Sequence, residues 1–426
     1  VLTDGPFVET KEQLAGYYVV DVANRSATKI EGAPISALDA PDEARWGKTS
    51  DELYVVSSTR SLKSVQLAVV NLKTGSSHTI VRDTAATFID LDATDWAVAN
   101  GGEDVFWVSE RDGWGHLYRY AGDGTLKNQV ERGSYKVDGI VRVDSVRKQI
   151  YFTAWGKEPG SPHYAHLYRV GFDGSGLTLL TPEPGNHTIR FVPHASYFID
   201  TYSQIATPPV TVLRDADGKV VTELARGDAA PLRAIGWTPA EEFTVKARDG
   251  KTDLWGILHR PSTFDRSRKY PIVSYIYPGP QRGSVGDWVF KGPDWVLGTT
   301  VETRTDRFVA TRNLGEEGMR RALAELGFIV IQLDALGSSP QRSKAFEDFF
   351  YGHVGDNGLP DHVAAIRQLA AKYPWIDTTR VGIVGHSGGG YSAAAGMLHF
   401  PDFFKVGIAG SGNHDFRVYG WYWGEK

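Results

Sequence analysis

The sequence lacks cysteine entirely and contains no long apolar run. Without cysteine, the chain can form neither disulfide bonds nor a catalytic thiolate nor a cysteine-ligated metal site. No apolar stretch reaches the ~18 residues that a membrane-spanning helix needs, and no signal-peptide pattern opens the chain. Charge of either sign is only weakly in excess, since 46 Lys and Arg stand against 51 Asp and Glu, with no basic block. We therefore expect no membrane span, and neither nucleic acid nor an anionic membrane as a partner.

Glycine and aromatic residues are plentiful, and the first half of the chain repeats. Similar alternating segments begin 50 residues apart at Tyr17, Leu67, Leu117 and Leu167, and each runs into a turn rich in Asp, Asn or Gly. A looser copy begins at Val210, and a further strand-like segment precedes each later copy. A period near 50 residues with several strands per unit is typical of β-propeller blades. We predict a partial β-propeller, with about four to five blades, in residues 1–235.

The pattern changes in residues 236–426. The apolar segments YPIVSYIYP, FIVIQLDA, VGIVGHS and VGIAGSG read as buried strands. Helical segments are predicted between them, at residues 316–326, at 361–373 and after Ser387. Strands that alternate with helices of this length predict a doubly wound, mostly parallel sheet. We assign residues 236–426 to an α/β domain that we expect to be incomplete at its carboxyl end.

One segment of this α/β domain carries a catalytic motif. In VGIVGHSGGGY, Ser387 lies in the pattern G-x-S-x-G between a predicted strand and a predicted helix. This is the context of a nucleophile elbow, in which a sharp turn exposes a serine hydroxyl at the carboxyl edge of the sheet. We predict Ser387 as the nucleophile and the N–H of Gly388 as a donor to the oxyanion. His386 is predicted to pack and not to act as the base, because neighbouring residues of a strand point in opposite directions.

A propeller followed by an α/β-hydrolase domain with the elbow GHSGGGY resembles the prolyl oligopeptidase family of serine peptidases, most closely its dipeptidyl peptidase IV branch. The resemblance covers essentially the whole chain and is strong in SERDGWGHLYRY, YPIVSYIYPGP and RSKAFEDFFYGHVGD. It implies a serine exopeptidase that acts on short peptides through an acyl-enzyme on Ser387. It implies that the enzyme releases dipeptides by cleaving the substrate after a penultimate Pro or Ala.

The resemblance also implies roles for particular residues. Tyr277, in YPGP, matches the tyrosine whose hydroxyl is the second oxyanion donor. The residues that match the lining of the S1 pocket are Asn413, Phe416, Tyr419 and Trp423. Flat aromatic walls of such a pocket suit a proline ring. The branch usually has an aromatic residue before the nucleophile and a tyrosine after it, where this chain has His386 and Gly388. The missing tyrosine removes one pocket wall, so the preference for proline is left open.

The other members of a catalytic triad are harder to place. In this fold an Asp and then a His follow the nucleophile, on loops after later strands. Only one further strand is predicted after Ser387, and the poorly placed candidates there are His399, Asp402, His414 and Asp415. We expect the triad Asp and His to be absent from this chain, which would be one part of a larger enzyme and inactive alone. The branch binds the free amino group of the substrate with a pair of glutamates, and the resemblance places this pair upstream of Val1. Glu110, Glu241 and Glu242 do not match the pair and are expected on solvated turns.

Two alternatives to a dipeptidyl peptidase stay open. One is an acylaminoacyl-peptidase or oligopeptidase specificity on the same scaffold, and the other is a non-catalytic propeller binding module with a degenerate hydrolase domain. No cofactor or metal is predicted, because no spacing of His and carboxylates matches a metal site. From the resemblance, we expect the complete enzyme to be a homodimer, and to be periplasmic or secreted in preference to cytoplasmic.

Overall fold

The computed structural model describes residues 14–15, 18–30, 35–36, 44–192, 196–279, 283–286, 288–291, 312–354 and 357–415. The chain divides into two compact units. The first unit comprises Val1–Pro182, Gln341–Val354 and Asp415–Lys426, and the second comprises Glu183–Pro340 and Gly355–His414. None of the described helices is long and apolar enough to cross a membrane.

The first unit consists mainly of short antiparallel strands. They are β1 (Leu14–Ala15), β2 (Tyr18–Asp21), β3 (Ser26–Lys29), β4 (Ile35–Ser36), β5 (Ala44–Trp46), β6 (Glu52–Ser58), β7 (Ser64–Asn71), β8 (Ser77–Thr84), β9 (Trp96–Ala99), β10 (Asp104–Ser109), β11 (His116–Tyr120), β12 (Leu126–Gln129), β13 (Lys136–Asp144), β14 (Gln149–Trp155), β15 (Ala165–Gly171) and β16 (Thr178–Leu179). Strands β5 to β8, β9 to β12 and β13 to β16 form three four-stranded sheets in chain order. Such sheets, each with neighbouring strands joined in sequence, are the form of propeller blades.

The 50-residue repeat of the sequence is visible in these sheets. Leu67, Leu117 and Leu167 occupy the third strand of successive sheets, and all three side chains are fully buried. The N–H of Val130 donates to the carbonyl of Leu117 at 2.8 Å, and the N–H of Leu180 donates to that of Leu167 at the same distance. Apolar clusters fill the space between successive sheets, so each sheet buries a face against its neighbour. This is why a single blade cannot fold alone.

The second unit begins with one more four-stranded antiparallel sheet and continues into an α/β sheet. The antiparallel sheet contains β17 (Asn186–Phe191), β18 (Tyr197–Gln204), β19 (Thr207–Asp215) and β20 (Val220–Arg226). The α/β sheet contains β21 (Glu241–Lys246), β22 (Asp253–His259), β23 (Tyr270–Tyr275), β24 (Ile329–Leu333), β25 (Ile376–His386) and β26 (Val406–Gly410). The helices of the chain are α1 (Ala230–Ala234), α2 (Arg312–Glu325), α3 (Lys344–Glu347), α4 (Leu359–Lys372) and α5 (Gly388–His399), of which α3 lies in the first unit. Short 3-10 turns occur at Leu91–Ala93, Asn100–Gly102 and Asp348–Phe350.

The α/β sheet has the strand order β21-β22-β24-β23-β25-β26. The hairpin β21–β22 pairs antiparallel to β24, and the strands from β24 to β26 are mutually parallel. All five side chains of β24 are buried, as expected for a parallel strand covered on both faces. The predicted combination of antiparallel blades with a mostly parallel α/β sheet is therefore confirmed, whereas the domain boundary after residue 235 stays a prediction.

Several local expectations need correction. Helix α5 begins at Gly388, directly after the elbow serine. Glu110 does not lie on a solvated turn, since its side chain is only 12% exposed and accepts a hydrogen bond from Lys136. Glu241 and Glu242 are exposed, but they lie on strand β21.

Candidate active site

Ser387 occupies a strained position between β25 and α5. Its backbone angles are φ 56° and ψ −121°, a conformation that costs a non-glycine residue on the order of 1–3 kcal/mol. The N–H of Ser387 donates to the carbonyl of Gly410 on β26 at 2.8 Å, and its own carbonyl accepts from the N–H of Gly390 at 2.9 Å. The residue is half-buried. These are the features of a nucleophile elbow.

Three glycines allow the turn to be this tight. A Cβ on Gly385 would lie 2.1 Å from the carbonyl oxygen of Gly389. On Gly389 it would lie 2.2 Å from the carbonyl oxygen of Ile276, and on Gly390 it would lie 2.4 Å from that of Gly410. All three contacts are with backbone, which cannot rotate away as a side chain can. A side chain at any of these three positions would therefore clash with backbone, and only glycine fits the turn.

Both predicted oxyanion donors lie at this turn. Gly388 is the first residue of α5, and the first N–H groups of a helix have no acceptor within the helix. Tyr277 follows β23, whose neighbour in the sheet is β25. The N–H of Ile276 donates to the carbonyl of Val384 at 2.9 Å, and a Cβ on Gly389 would lie 3.6 Å from the Cα of Tyr277. The sheet thus brings Tyr277, Gly388 and Ser387 together at the carboxyl ends of β23 and β25.

Of the four predicted pocket residues, only Asn413 is described. It follows β26 and is half-buried. Its Nδ2 is buried and has no hydrogen-bond acceptor among the described residues. A buried amide donor without a partner costs free energy, and this feature is compatible with a ligand-binding role. Phe416, Tyr419 and Trp423 lie outside the described residues.

Two histidines near the elbow were considered in the sequence. His386 is exposed, so the prediction that its ring packs is wrong. It lies on β25 next to β26, which is the edge strand of the described sheet, and Nδ1 of its ring would lie 3.2 Å from a Cβ placed on Gly410. His414 stacks on Tyr391, with ring centroids 6.1 Å apart and an interplanar angle of 25°.

No described residue serves as the base. None of the described side chains hydrogen-bonds to the hydroxyl of Ser387, and β26 is the last described strand after it. The described residues also contain no group of three or more His, Cys, Asp or Glu side chains placed to share a metal ion. The chemistry that this part of the chain can supply is a serine nucleophile with donors for a developing negative charge.

Sequence reasoning missed the residues that position the loop after β23, which contains Tyr277 and is called here the loop of Tyr277. Ser284, Gln332 and Asp334 form hydrogen bonds around this loop. No sequence motif marked Ser284 or Asp334. The only signal was that Asp334 follows a buried strand, at the sheet edge where polar residues gather in α/β proteins.

A strained serine at a strand-to-helix turn, backed by glycines on a mostly parallel sheet, defines an α/β-hydrolase fold with a nucleophile elbow. Comparison with known families adds to this. Residues 6–209 match the family model described as the dipeptidyl peptidase IV N-terminal region, and residues 319–425 match the prolyl oligopeptidase family. The chain therefore belongs to the prolyl oligopeptidase family and is similar to dipeptidyl peptidase IV.

Individual relatives agree with this assignment. Human dipeptidyl peptidase 8 is 31% identical over 279 residues, which are 64% of this chain and 28% of the human protein. Dipeptidyl peptidase 4 of Arthroderma otae is 24% identical over 97% of this chain and 51% of its own length. The chain thus spans about half the length of the fungal relative, and less of the human one.

Solved structures support the fold. Porphyromonas gingivalis dipeptidyl peptidase 4 superposes with a TM-score of 0.77 at 24% identity, covering 96% of this chain and 54% of that one. A structure from Bacteroides ovatus gives a TM-score of 0.80 at 22% identity, covering 99% of this chain and 59% of the other.

Proposed function

We propose that this chain is part of a serine peptidase that releases dipeptides from the free amino ends of short peptides, with a penultimate Pro or Ala preferred. The observation that carries the proposal is the strained Ser387 at a glycine-backed elbow. A backbone strain of this kind persists only where the surrounding structure enforces it, and it is typical of functional sites. The names of the relatives, all dipeptidyl peptidases, support the choice of dipeptides as products.

In the proposed reaction, the Oγ of Ser387 attacks the carbonyl carbon of the scissile peptide bond. The carbonyl oxygen becomes negatively charged as the tetrahedral intermediate forms. The N–H of Gly388 and the hydroxyl of Tyr277 donate hydrogen bonds to it, and the positive end of the α5 dipole favours the same charge. Collapse of the intermediate expels the amine and leaves a dipeptidyl ester on Ser387, which water then hydrolyses.

A base must take the proton of the Ser387 hydroxyl and return it to the leaving amine. The family resemblance implies a His oriented by an Asp, and we assign these roles to no described residue. Asn413, whose Nδ2 lacks an acceptor among the described residues, is proposed to donate to a carbonyl of the bound peptide. Phe416, Tyr419 and Trp423 are proposed to line the pocket for the penultimate side chain.

Specificity is tested with the complete gene product and two reporters, Ala-Pro-amide with a free amino end and its N-acetylated form. Ser387→Ala is the blank. Cleavage of the free form alone supports the dipeptidyl peptidase proposal. Equal or faster cleavage of the acetylated form would replace it with acylaminoacyl-peptidase or oligopeptidase specificity, and no Ser387-dependent cleavage of either form would favour a non-catalytic binding module.

The role of Tyr277 gives a first quantitative prediction. Removal of one oxyanion donor typically lowers kcat by about 10²–10³, so Tyr277→Phe should lower kcat by this factor with little change in KM. The matched control is Tyr275→Phe, at the end of β23 and two residues before Tyr277, where the ring is buried among Val273, Val330 and Val384. Tyr275→Phe should keep kcat within about threefold. Equal activity of the two variants would remove Tyr277 from the proposed mechanism.

We further propose that the complete protein is a homodimer and is periplasmic or secreted. Both proposals are supported by the family resemblance alone. Analytical ultracentrifugation of the full gene product tests the first, and a monomer at micromolar concentration would contradict it. Cell fractionation tests the second, and recovery with cytoplasmic markers would contradict it.

A further inference from the structure

One hydroxyl forms hydrogen bonds with both the N–H and the carbonyl oxygen of Tyr277. The Oγ of Ser284 donates to the carbonyl oxygen of Tyr277 at 2.6 Å and accepts from the N–H of the same residue at 3.3 Å. A serine hydroxyl has one donor and two acceptor sites, so a single side chain satisfies both backbone groups. Ser284 is 4% exposed, so water cannot readily take its place.

Ser284 is fixed in turn by the neighbouring strand β24. The Nε2 of Gln332 donates to the carbonyl oxygen of Ser284 at 2.6 Å. Just beyond the strand, Oδ1 of Asp334 accepts from the N–H of Val285 at 3.0 Å, and its Oδ2 accepts from the indole N–H of Trp288 at 3.4 Å. Gln332, Asp334 and Trp288 are all at most 1% exposed. Gln332 and Asp334 are two residues apart, and alternate residues of a strand face the same side.

The loop also approaches Asp334 as closely as glycine permits. Gly283 has φ +71°, and a Cβ there would lie 2.9 Å from Oδ1 of Asp334. On its other side, the chain at Ile276 and Tyr277 lies against the elbow glycine Gly389. The described parts of this loop, residues 276–279 and 283–286, are therefore fixed between β24 and the turn that carries Ser387. A shift of the loop would change the distance from the tyrosine hydroxyl to the oxyanion.

We propose that Ser284 is a positioning residue for the oxyanion hole, acting through the backbone of Tyr277, and that Asp334 holds Ser284 and its loop in place. The inference rests on the proposed function, because it needs Tyr277 to stabilise an oxyanion formed at Ser387. Neither residue touches the reacting atoms. Their effect is to fix the tyrosine hydroxyl in advance, which is what makes such a donor effective.

The test is a double-mutant cycle on the complete gene product with Ser284→Ala and Tyr277→Phe. A misplacement of about 1 Å can cost about 10²-fold in rate, so Ser284→Ala should lower kcat by about 10- to 100-fold and change KM by less than about twofold. In the Tyr277→Phe background, Ser284→Ala should lower kcat by less than about twofold, since the hydroxyl it positions is gone. Ser284→Thr, which keeps a hydroxyl, should recover most of the activity.

The matched control is Ser274→Ala, which removes another fully buried serine of the same region. The Oγ of Ser274 is hydrogen-bonded to Nδ1 of His362 at 2.6 Å and not to Tyr277. This control should lower the melting temperature but leave kcat within about twofold. If Ser284→Ala does not fold, Asp334→Asn replaces it in the same cycle, with the same expected dependence on Tyr277.

The outcomes separate this inference from the proposed function. The inference is overturned if the double variant loses kcat by the product of the two single losses, or if Ser284→Ala leaves kcat unchanged. In both cases the peptidase proposal stands. If peptides with free amino ends are not cleaved, the cycle is read from the rate at which a fluorophosphonate labels Ser387. Coupling in that rate supports the inference although the dipeptidyl peptidase proposal fails, and absence of both reactions overturns both.

Discussion

Lys136 gives the sharpest test of the energetics of the first unit. Its ammonium is fully buried, lies 2.7 Å from Oε1 of Glu110 and also contacts the carboxylate of Glu347. Burial alone would lower the pKa of Lys136, but Glu110 and Glu347 outweigh it and raise this pKa above its usual value. Burial, reinforced by repulsion from Glu110, raises the pKa of Glu347 well above its usual value. The cluster is therefore short of positive charge even with the lysine present.

Lys136→Met keeps much of the side-chain volume and removes this one cation. Loss of one partner from a buried ion pair costs about 3–5 kcal/mol, and we expect this loss of unfolding free energy at pH 8. The pKa of the buried Glu347 is already well above its usual value, and the variant loses the cation that lowers this pKa, so it stays above the unfolded value of about 4.3. A raised pKa contributes stability at low pH that is lost as pH rises through it, so the cost of the substitution should be smaller at pH 5 than at pH 8.

The matched control is Lys73→Met, which breaks an exposed pair of similar length. The Nζ of Lys73 lies 2.6 Å from Asp51, with side chains 72% and 36% exposed, and such pairs contribute about 0–1 kcal/mol. Denaturant unfolding followed by circular dichroism at both pH values measures the difference, and hydrogen exchange of β13 and β14 localises it. Adding Glu347→Gln to Lys136→Met should restore part of the loss. Equal losses from Lys136→Met and Lys73→Met, or a loss independent of pH, would refute this reasoning.

Two further predictions concern the α/β sheet. Gly389→Ala would place a Cβ 2.2 Å from the carbonyl oxygen of Ile276, so the elbow must shift, and kcat/KM of the complete enzyme should fall by about 10² or more; a loss below about threefold would contradict the steric argument. Burial lowers the pKa of the fully buried His362 to about 4, below an unfolded value of about 6.5, so its stabilising contribution is present above pH 6.5 and about 3 kcal/mol is lost as pH falls towards 4. His362→Gln should therefore lose less unfolding free energy than the parent between pH 7 and pH 4.5, and equal losses would show that His362 does not control this acid sensitivity.

Much of the architecture could be predicted because it follows from local, periodic patterns in the amino-acid sequence. The leucines at positions 67, 117 and 167 mark the same buried place in successive sheets, and such repetition is readable without any knowledge of distant contacts. The elbow is also local, since Gly385, Ser387 and Gly389 stand within five consecutive residues and their steric need follows from one turn. Tyr277 could be found only through the family resemblance, because a tyrosine after a strand is usually structural.

The rest could not be predicted because it depends on contacts between distant, ordinary polar residues. Lys136 and Glu347 are 211 residues apart, and nothing in their local sequences distinguishes them from exposed charges. Ser284 and Asp334 contact the loop of Tyr277 only after β23 and β24 have paired. His386 was expected to pack because its side chain should point away from that of Ser387, but burial at that position depends on what covers the last described strand of the sheet.

The central claim is that Ser387 forms a covalent ester with a dipeptide. The most direct test mixes the complete enzyme with an Ala-Pro ester, stops the reaction with acid within milliseconds and identifies the modified tryptic peptide by mass spectrometry. The account predicts an added Ala-Pro mass on residue Ser387, within the peptide 381–405, and no such mass in Ser387→Ala. A dipeptide attached to another residue, or full turnover by Ser387→Ala, would contradict it.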